Sequence, residues 1–248
     1  MGLLYVVMSG ANHVELAQEM VANNLANVNT TGFRADQEVF SSYMPPGGGH
    51  SASAYVVNSS TASNLSSGTI SYTGNPLDIA VTGPGFFVVK DQAGKEAYTR
   101  DGNLMIGKGG ILETKEGNEV VSDTGTPITI PPATKITIAS DGTVSGVPTP
   151  FGQTLNSVNE LGRIRLVNPR ASQISKGANG LFYTKNGKRL VVDDNVKIKG
   201  GALEGSNVNL VDEMTQMISL SRQFDMDMQL IKTTQNNGTS ADQILVLA

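Results

Sequence analysis

Histidine is the side chain most often recruited for acid-base work or metal ligation near neutral pH, and the chain has two, His13 and His50. His13 falls in an N-terminal helical pattern and His50 in a stretch rich in Gly, Pro and Ser, so a two-histidine metal site is not expected. The absence of cysteine removes thiolate nucleophiles, thiolate metal ligands and disulfides. Asp78 alternates with Leu77 and Ile79 and reads as the polar side of a strand; Arg100 and Asp101 in "YTRDGN" read as turn chemistry. "GKGG" at Gly107 to Gly110 lacks the Lys-Ser/Thr and the helix that complete a phosphate loop. The Asn-x-Ser/Thr triplets at Asn29, Asn58, Asn64 and Asn237 read as composition, not glycosylation, and Met214, Met217, Met226 and Met228 read as packing, not ligands. No acid, base or nucleophile converges. Catalytic residues, metal ligands, cofactors and a small-molecule substrate are each expected to be none, which leaves an enzyme the weaker reading.

With 248 residues, a formal charge of -4 and 39% hydrophobic residues, the chain suits one or two soluble domains with a real core. Twenty-eight glycines, no Trp and 5% aromatics imply many turns and a core of Val, Ile and Leu. The acidic balance argues against nucleic acid as a partner, and Lys185, Lys188, Arg189, Lys197 and Lys199 read as a solvated face. The first residues lack the basic start of a secretory signal, no stretch is long enough to span a membrane, and Val6 stands where a myristoylation motif wants Ser or Thr.

The elements that must carry the function follow from periodicity. Leu4, Val7, Ala11, Val14, Val21, Leu25 and Val28 keep a 3-4 spacing broken only at Gln18, which predicts a long amphipathic helix. Leu210, Met214, Met217, Phe224, Met228 and Ile231 predict a second, with Val211 and Ile218 widening the stripe and Asn209 as N-cap. Between them the period falls to two, in short Val/Ile/Thr/Phe runs punctuated by Gly and Pro. Asn186-Gly187, Asp101-Gly102 and Asp141-Gly142 carry the signal of tight hairpin turns. The expected fold is therefore α+β: long terminal helices packed together as a coiled-coil-like pair, with a central all-β domain of short strands between them in the chain. Residues 1–35 hold the first helix and its turn, 36–69 an extended connection, 70–203 the β domain and 204–248 the second helix.

Between Met1 and Phe33 the charged side chains are Glu15 and Glu19 alone, so the outer face of the first helix does not read as ordinary surface. Asn23, Asn24, Asn27 and Asn29 offer hydrogen bonds between crowded helices without the desolvation penalty of a buried charge. Asn29 to Gly32 also stop the helix and turn the chain, and both roles can hold together. The apolar seams are modest against the entropy of ordering the helices, so partner subunits are expected to cover the remaining faces.

These blocks resemble a known family. "NNLANVNTTGFRA" at Asn23 to Ala35 is similar to the N-terminal signature of bacterial flagellar axial proteins, the rod and hook group. "PLDIAVTGPGFFVV", "YTRDGNLMIGKGGILET" and "LEGSNVNLVDEMTQMI" resemble its other blocks. The likeness spans both termini and much of the middle. Within the group, "LEGSNVN", "PITIPPATKITIASDGTVS" and "RQFDMDMQ" look closest to a proximal-rod member, with a distal-rod or hook-type relative as the alternative. The resemblance implies an exported, non-enzymatic subunit of the proximal rod that crosses the periplasm. It implies partnership with copies of itself, with other rod proteins and, during export without a cleavable signal, with the flagellar type III export apparatus. Terminal helices would pack into a tube around the export channel, with β domains outside. Carried over by position, Asn23, Asn24, Leu25, Asn27, Thr31, Gly32 and Phe33 belong to the first signature and Ser206, Asn207 and Val208 to the second, and they join the seam residues as the expected assembly surface. A different class of function, a cell-wall-binding β module whose helices only dimerise, calls for an aromatic groove that a chain without Trp is poorly equipped to build.

Overall fold

A computed structural model describes residues 2–43, 55–132, 134–148 and 158–246. His50 and the side chains of Leu4 and Leu245 lie outside the described residues. The chain divides into a helical unit, Met1–Ala26, Asp36–Thr61 and Asn209–Ala248, and a β unit, Asn27–Ala35 and Ala62–Val208.

In the helical unit, α1 spans Gly2–Ala26 and α2 spans Leu210–Val246. Asn209 starts α2 by accepting the Val211 N–H on its side chain (3.1 Å), which satisfies one of the donors a helix start leaves open, while its carbonyl accepts the first regular helix bond from the Glu213 N–H (3.0 Å). Asp212 and Glu213 in the first turn suit the positive end of the helix dipole. The helices run antiparallel, for Asn24 bonds Glu213 (3.1 Å) while Gly10 faces the Asp227 carboxylate.

The expected coiled-coil-like pair does not form. A coiled coil requires both helices to bury matching rows of large apolar side chains in each other. Instead α1 buries Ala11, Val14, Ala17, Val21 and Asn24, a row mostly too small to act as knobs and shifted off the expected seam at Gln18 and Leu25, which are half-buried. No described residue of α2 is buried, and Leu210, Met214 and Met228 of its expected seam are exposed. The fold is thus two terminal helices flanking a large β-rich region. The 36–69 stretch, read from sequence as an extended connection, contains strands Asp36–Tyr43 and Tyr55–Ser63, which pair with each other.

The β unit is built on the strand Phe86–Lys90, whose first four residues form an unbroken apolar run because both of its faces are covered. Phe87 and Val89 enter one apolar cluster with Ile79, Leu112, Ile128, Val144 and Ile164; Phe86 and Val88 enter another with Tyr98, Val121, Val167 and Phe182. The same alternation, two residues per repeat, sends Ala97 and Tyr98 to opposite sides, as it does Leu166 and Val167. Around this strand an eight-stranded sheet runs in the order Ile174–Lys176, Phe182–Thr184, Glu96–Thr99, Phe86–Lys90, Glu119–Val120, Leu112–Thr114, Leu104–Ile106, with Leu166–Val167 also on Phe86–Lys90. A three-stranded sheet, Thr134–Ile138, Thr143–Pro148 and Asn159–Arg163, and two strand pairs, Ile79–Thr82 with Lys197–Gly200 and Ile70–Tyr72 with Ala202–Glu204, complete it.

The three turn signals meet different fates. Asp141-Gly142 joins two antiparallel strands, with Gly142 at φ 90°. Asn186-Gly187 turns the chain, with Gly187 at φ 65°, but closes no strand pair. Asp101-Gly102 is not a hairpin, because Glu96–Thr99 and Leu104–Ile106 are not neighbours in the sheet. Gly102 is needed there for close approach: its carbonyl accepts the Ile79 N–H at 2.9 Å, and a Cβ would overlap the Ile79 carbonyl oxygen. Gly102→Ala is therefore expected to cost roughly 2 to 4 kcal/mol of stability. Thermal unfolding checks this, and an unchanged midpoint would contradict the contact.

Candidate functional site: a buried arginine, glutamate and arginine cluster

Glu204 is the last residue of strand Ala202–Glu204, paired opposite Ile70, and its side chain is fully buried. Arg100 follows directly on strand Glu96–Thr99. Arg34 stands on the arm Asn27–Ala35, where the chain leaves α1 through a turn closed by Thr30 N–H on the Asn27 carbonyl (3.1 Å). These three residues, 66 and 104 positions apart along the chain, meet at one carboxylate.

Arg34 Nη2 donates to Glu204 Oε1 at 2.6 Å, and Arg100 Nη1 donates to both carboxylate oxygens at 3.1 and 2.9 Å. Gly68 N–H adds a bond to Oε1 at 2.9 Å. Arg100 Nη2 donates to the Gly83 carbonyl (2.6 Å), Arg34 Nη1 to the Phe33 carbonyl (3.2 Å), and the Arg100 guanidinium lies 5.4 Å over the Phe86 ring. Relative exposure is 0% for Arg34, 1% for Arg100 and 0% for Glu204, so two cations share one anion out of water. Burial lowers the Arg34 pKa from its ordinary value, Glu204 opposes that, and Arg100 adds to it. Arginine stays charged in such surroundings, so the cluster carries a surplus positive charge. Its geometry suits holding segments together; it offers no open face to a substrate.

Gly32 lets the arm approach. It sits at φ 68°, donates its N–H to the Glu204 carbonyl at 2.8 Å, and any Cβ there would overlap the Arg100 carbonyl carbon and the Asp101 nitrogen. Asn207 gathers the exits of the β unit: its Oδ1 accepts Ala35 N–H at 2.7 Å, while its Nδ2 donates to the carbonyls of Asn64 (2.9 Å) and Ser66 (3.1 Å). Lys176 Nζ donates to the Arg34 carbonyl at 2.9 Å and lies 3.8 Å over the Phe33 ring. Asn24 acts in the same way inside the helical unit, where its amide accepts Asp36 N–H (2.8 Å) and donates to the Asp36 carbonyl (2.9 Å) and to Glu213. Burial raises the Glu213 pKa, the Asn24 bond opposes, and Asp212 adds.

The residues expected at the assembly surface are dispersed. Ala11, Val14, Val21 and Asn24 are buried in the helical unit, and Gly32 and Phe33 in the β unit. Val7, Leu25, Asn27, Val28, Thr31, Ser206, Val208, Met217, Phe224 and Ile231 are half-buried; Asn23, Leu210, Met214 and Met228 are exposed. His13 pairs with Glu38 at 2.8 Å, and among the described residues no cluster of His, Asp and Glu is arranged to hold a metal. Asp78 is buried just before its strand and accepts from Asn75 Nδ2 at 2.9 Å. Sequence reading missed the cluster itself: it took Arg100 for a turn residue and passed over Arg34 and Glu204, although each stands inside or beside a quoted block.

Three family descriptions match: "Flagella basal body rod protein" over residues 4–34, "Flagellar hook protein FlgE/F/G D1 domain" over 80–146 and "Flagellar basal body rod FlgEFG protein C-terminal" over 199–244. Arg34, Arg100 and Glu204 come one from each matched region. Matches to relatives run nearly the length of the chain, and it belongs to the flagellar basal-body rod protein family. The flagellar basal-body rod protein FlgF of Salmonella typhimurium strain LT2 is 35% identical over 99% of this chain and 98% of its own. FlgF of Escherichia coli K12 is 34% identical with the same coverage. FlgG of Buchnera aphidicola subsp. Schizaphis graminum is 30% identical over 93% of this chain and 95% of its own, so the likeness is to FlgF more than to FlgG.

Two outcomes are expected. Gly32→Ala should cost roughly 2 to 4 kcal/mol and expose residues 27–35 to limited proteolysis, because a side chain at positive φ with no room displaces the arm; resistance equal to wild type would contradict this. The carboxyl of Asp101, whose backbone nitrogen lies against Gly32, is pushed up to about 6, first by burial and then by Glu116 and Asp78, against the bond from Asn103. A raised folded-state value means that the folded protein keeps a proton the unfolded chain has released. This contribution therefore favours folding most below about pH 4 and is lost as pH climbs to about 6. After discount for partial exposure, wild type should lose roughly 1 to 2 kcal/mol relative to Asp101→Asn between about pH 4 and pH 7. Urea unfolding at both pH values reads that difference, and parallel profiles would refute it.

Proposed function

We propose that this chain is a structural, non-enzymatic subunit of the bacterial flagellar basal-body rod. Family membership over nearly its whole length supports the reading, and the observation that carries it to a mechanism is the unburied apolar series on α2: Leu210, Val211, Met214, Ile218, Met226, Met228 and Leu230 are all exposed. Apolar side chains in such number along one helix mark a surface that further subunits cover. In this reading α1 and α2 assemble with copies of the chain and with other rod proteins. They form a tube that surrounds the export channel, crosses the periplasm and transmits torque. The exposed members of the assembly set named from sequence, Asn23, Leu210, Met214 and Met228, belong to this proposal, with Ile218 beside Met214 on the same helix. The subunit reaches its place through the flagellar type III export apparatus. Among the described residues no helix is long and apolar enough to cross a membrane. A distal-rod or hook-type role is the second reading, and the FlgG likeness supports it.

Ile218→Asp with Met214→Asp is expected to abolish self-association and incorporation into rods while changing stability of the isolated chain by no more than about 0.5 kcal/mol, as for exposed positions generally. Sedimentation of the purified chain and imaging of basal bodies check this; rods that contain the double variant at wild-type level would refute it.

A further inference from the structure

We infer that the arm Asn27–Ala35 is a plug that docks into a preformed, electrically neutral receptor made by Arg100 and Glu204, and that it has a docked and a released state. The receptor is complete without the arm. Arg100 and Glu204 form a one-to-one pair through two bonds, Gly68 N–H holds the carboxylate, and the Gly83 carbonyl holds the guanidinium. Arg34 then arrives as a second cation on an anion already matched, so its gain from the carboxylate is set against repulsion by Arg100 and the loss of its own hydration.

The apolar core does not depend on the arm. Neither apolar cluster of the β unit contains a residue from 27 to 35, although Phe33 and Ala35 are themselves buried. No residue of the arm belongs to a strand. Besides the buried Phe33 ring under Lys176, its attachments are hydrogen bonds: Gly32 N–H on the Glu204 carbonyl, Asn64 N–H on the Ala35 carbonyl, Ala35 N–H on Asn207, Lys176 on the Arg34 carbonyl, and Arg34 on Glu204. Each of these can be exchanged for water when the arm leaves, and release strands no charge in dry protein, because the pair left behind is neutral. Removing Glu204 has the opposite character, since it leaves Arg100 buried without its counter-ion. Arg34 and Glu204 are in this sense positioning residues for the segment that follows α1. The inference concerns the single chain and stands independently of the rod reading.

Hydrogen exchange read by mass spectrometry on the full-length monomer tests it, with wild type, Arg34→Met, Arg34→Lys and Glu204→Gln. Arg34→Met should speed exchange over residues 27–35 on the order of 100-fold while leaving strand Phe86–Lys90 within about twofold of wild type. Arg34→Lys, which keeps the charge but not the forked geometry, should fall between the two. Glu204→Gln should speed exchange in both places; should that variant not fold, the two Arg34 variants still decide. Equal acceleration of 27–35 and 86–90 in Arg34→Met would show that the arm and core open as one and overturn the inference. An unchanged arm in Arg34→Met, or Arg34→Lys as fast as Arg34→Met, would overturn it too.

Discussion

A carboxylate removed from water must find partners that replace its hydration, and Glu204 finds two guanidiniums and a backbone N–H. This constraint organises the β unit. The strand pair Ala202–Glu204 with Ile70–Tyr72 delivers the anion, the end of strand Glu96–Thr99 delivers one cation, and the turn after α1 delivers the other. Replacing such a cluster wholesale by apolar groups can be neutral, but breaking it by one member is not, because the charges that remain stay buried. The cluster is thus less a source of net stability than a condition on how the segments meet. The arrangement is specific in a way that apolar packing alone is not, since each guanidinium has a fixed direction in which it can donate.

Apolar packing supplies the rigidity that this specificity needs. Phe86 shows the coupling: it packs in one cluster with Phe182 at a ring separation of 5.2 Å and lies under the Arg100 guanidinium. Its neighbour Phe87 points to the opposite cluster. A one-residue slip would exchange the two sets of side chains between the clusters, taking Phe86 away from Phe182 and from the Arg100 guanidinium. Gly32 and Gly102 then bring backbone close against backbone on either side of the Arg100-Asp101 turn, at distances where no side chain fits.

How much of this was legible in the sequence depended on whether the signal was local. Helix existence was legible, since the 3-4 spacing from Val7 to Val28 and the Asn209 cap depend on residues a turn apart. The central β region was legible from period-two runs such as "FFVV". Helix pairing was not, because spacing names a face but not its partner, and α2 carries large apolar residues on more than one face. Asp101-Gly102 misled for a related reason: the dipeptide fits a hairpin turn, yet what requires glycine there is the carbonyl of Ile79, more than twenty positions away. The cluster was the least legible feature of all. Arg34, Arg100 and Glu204 look like ordinary surface charges when each is read with its neighbours, and only the sheet brings them together. Asn24 and Asn207 were marked by resemblance, but the bonds that occupy their amides within the chain could be learned only from the fold.

The shared carboxylate also has a consequence for how such a chain can change over generations. Codons far apart in the gene specify groups that meet at a single point, and a drift in charge at one of them is tolerated only if another moves with it. Variation at these three positions is therefore expected to be concerted, so that a lineage either keeps all of them or replaces them as a set, however freely the exposed loops between them diverge.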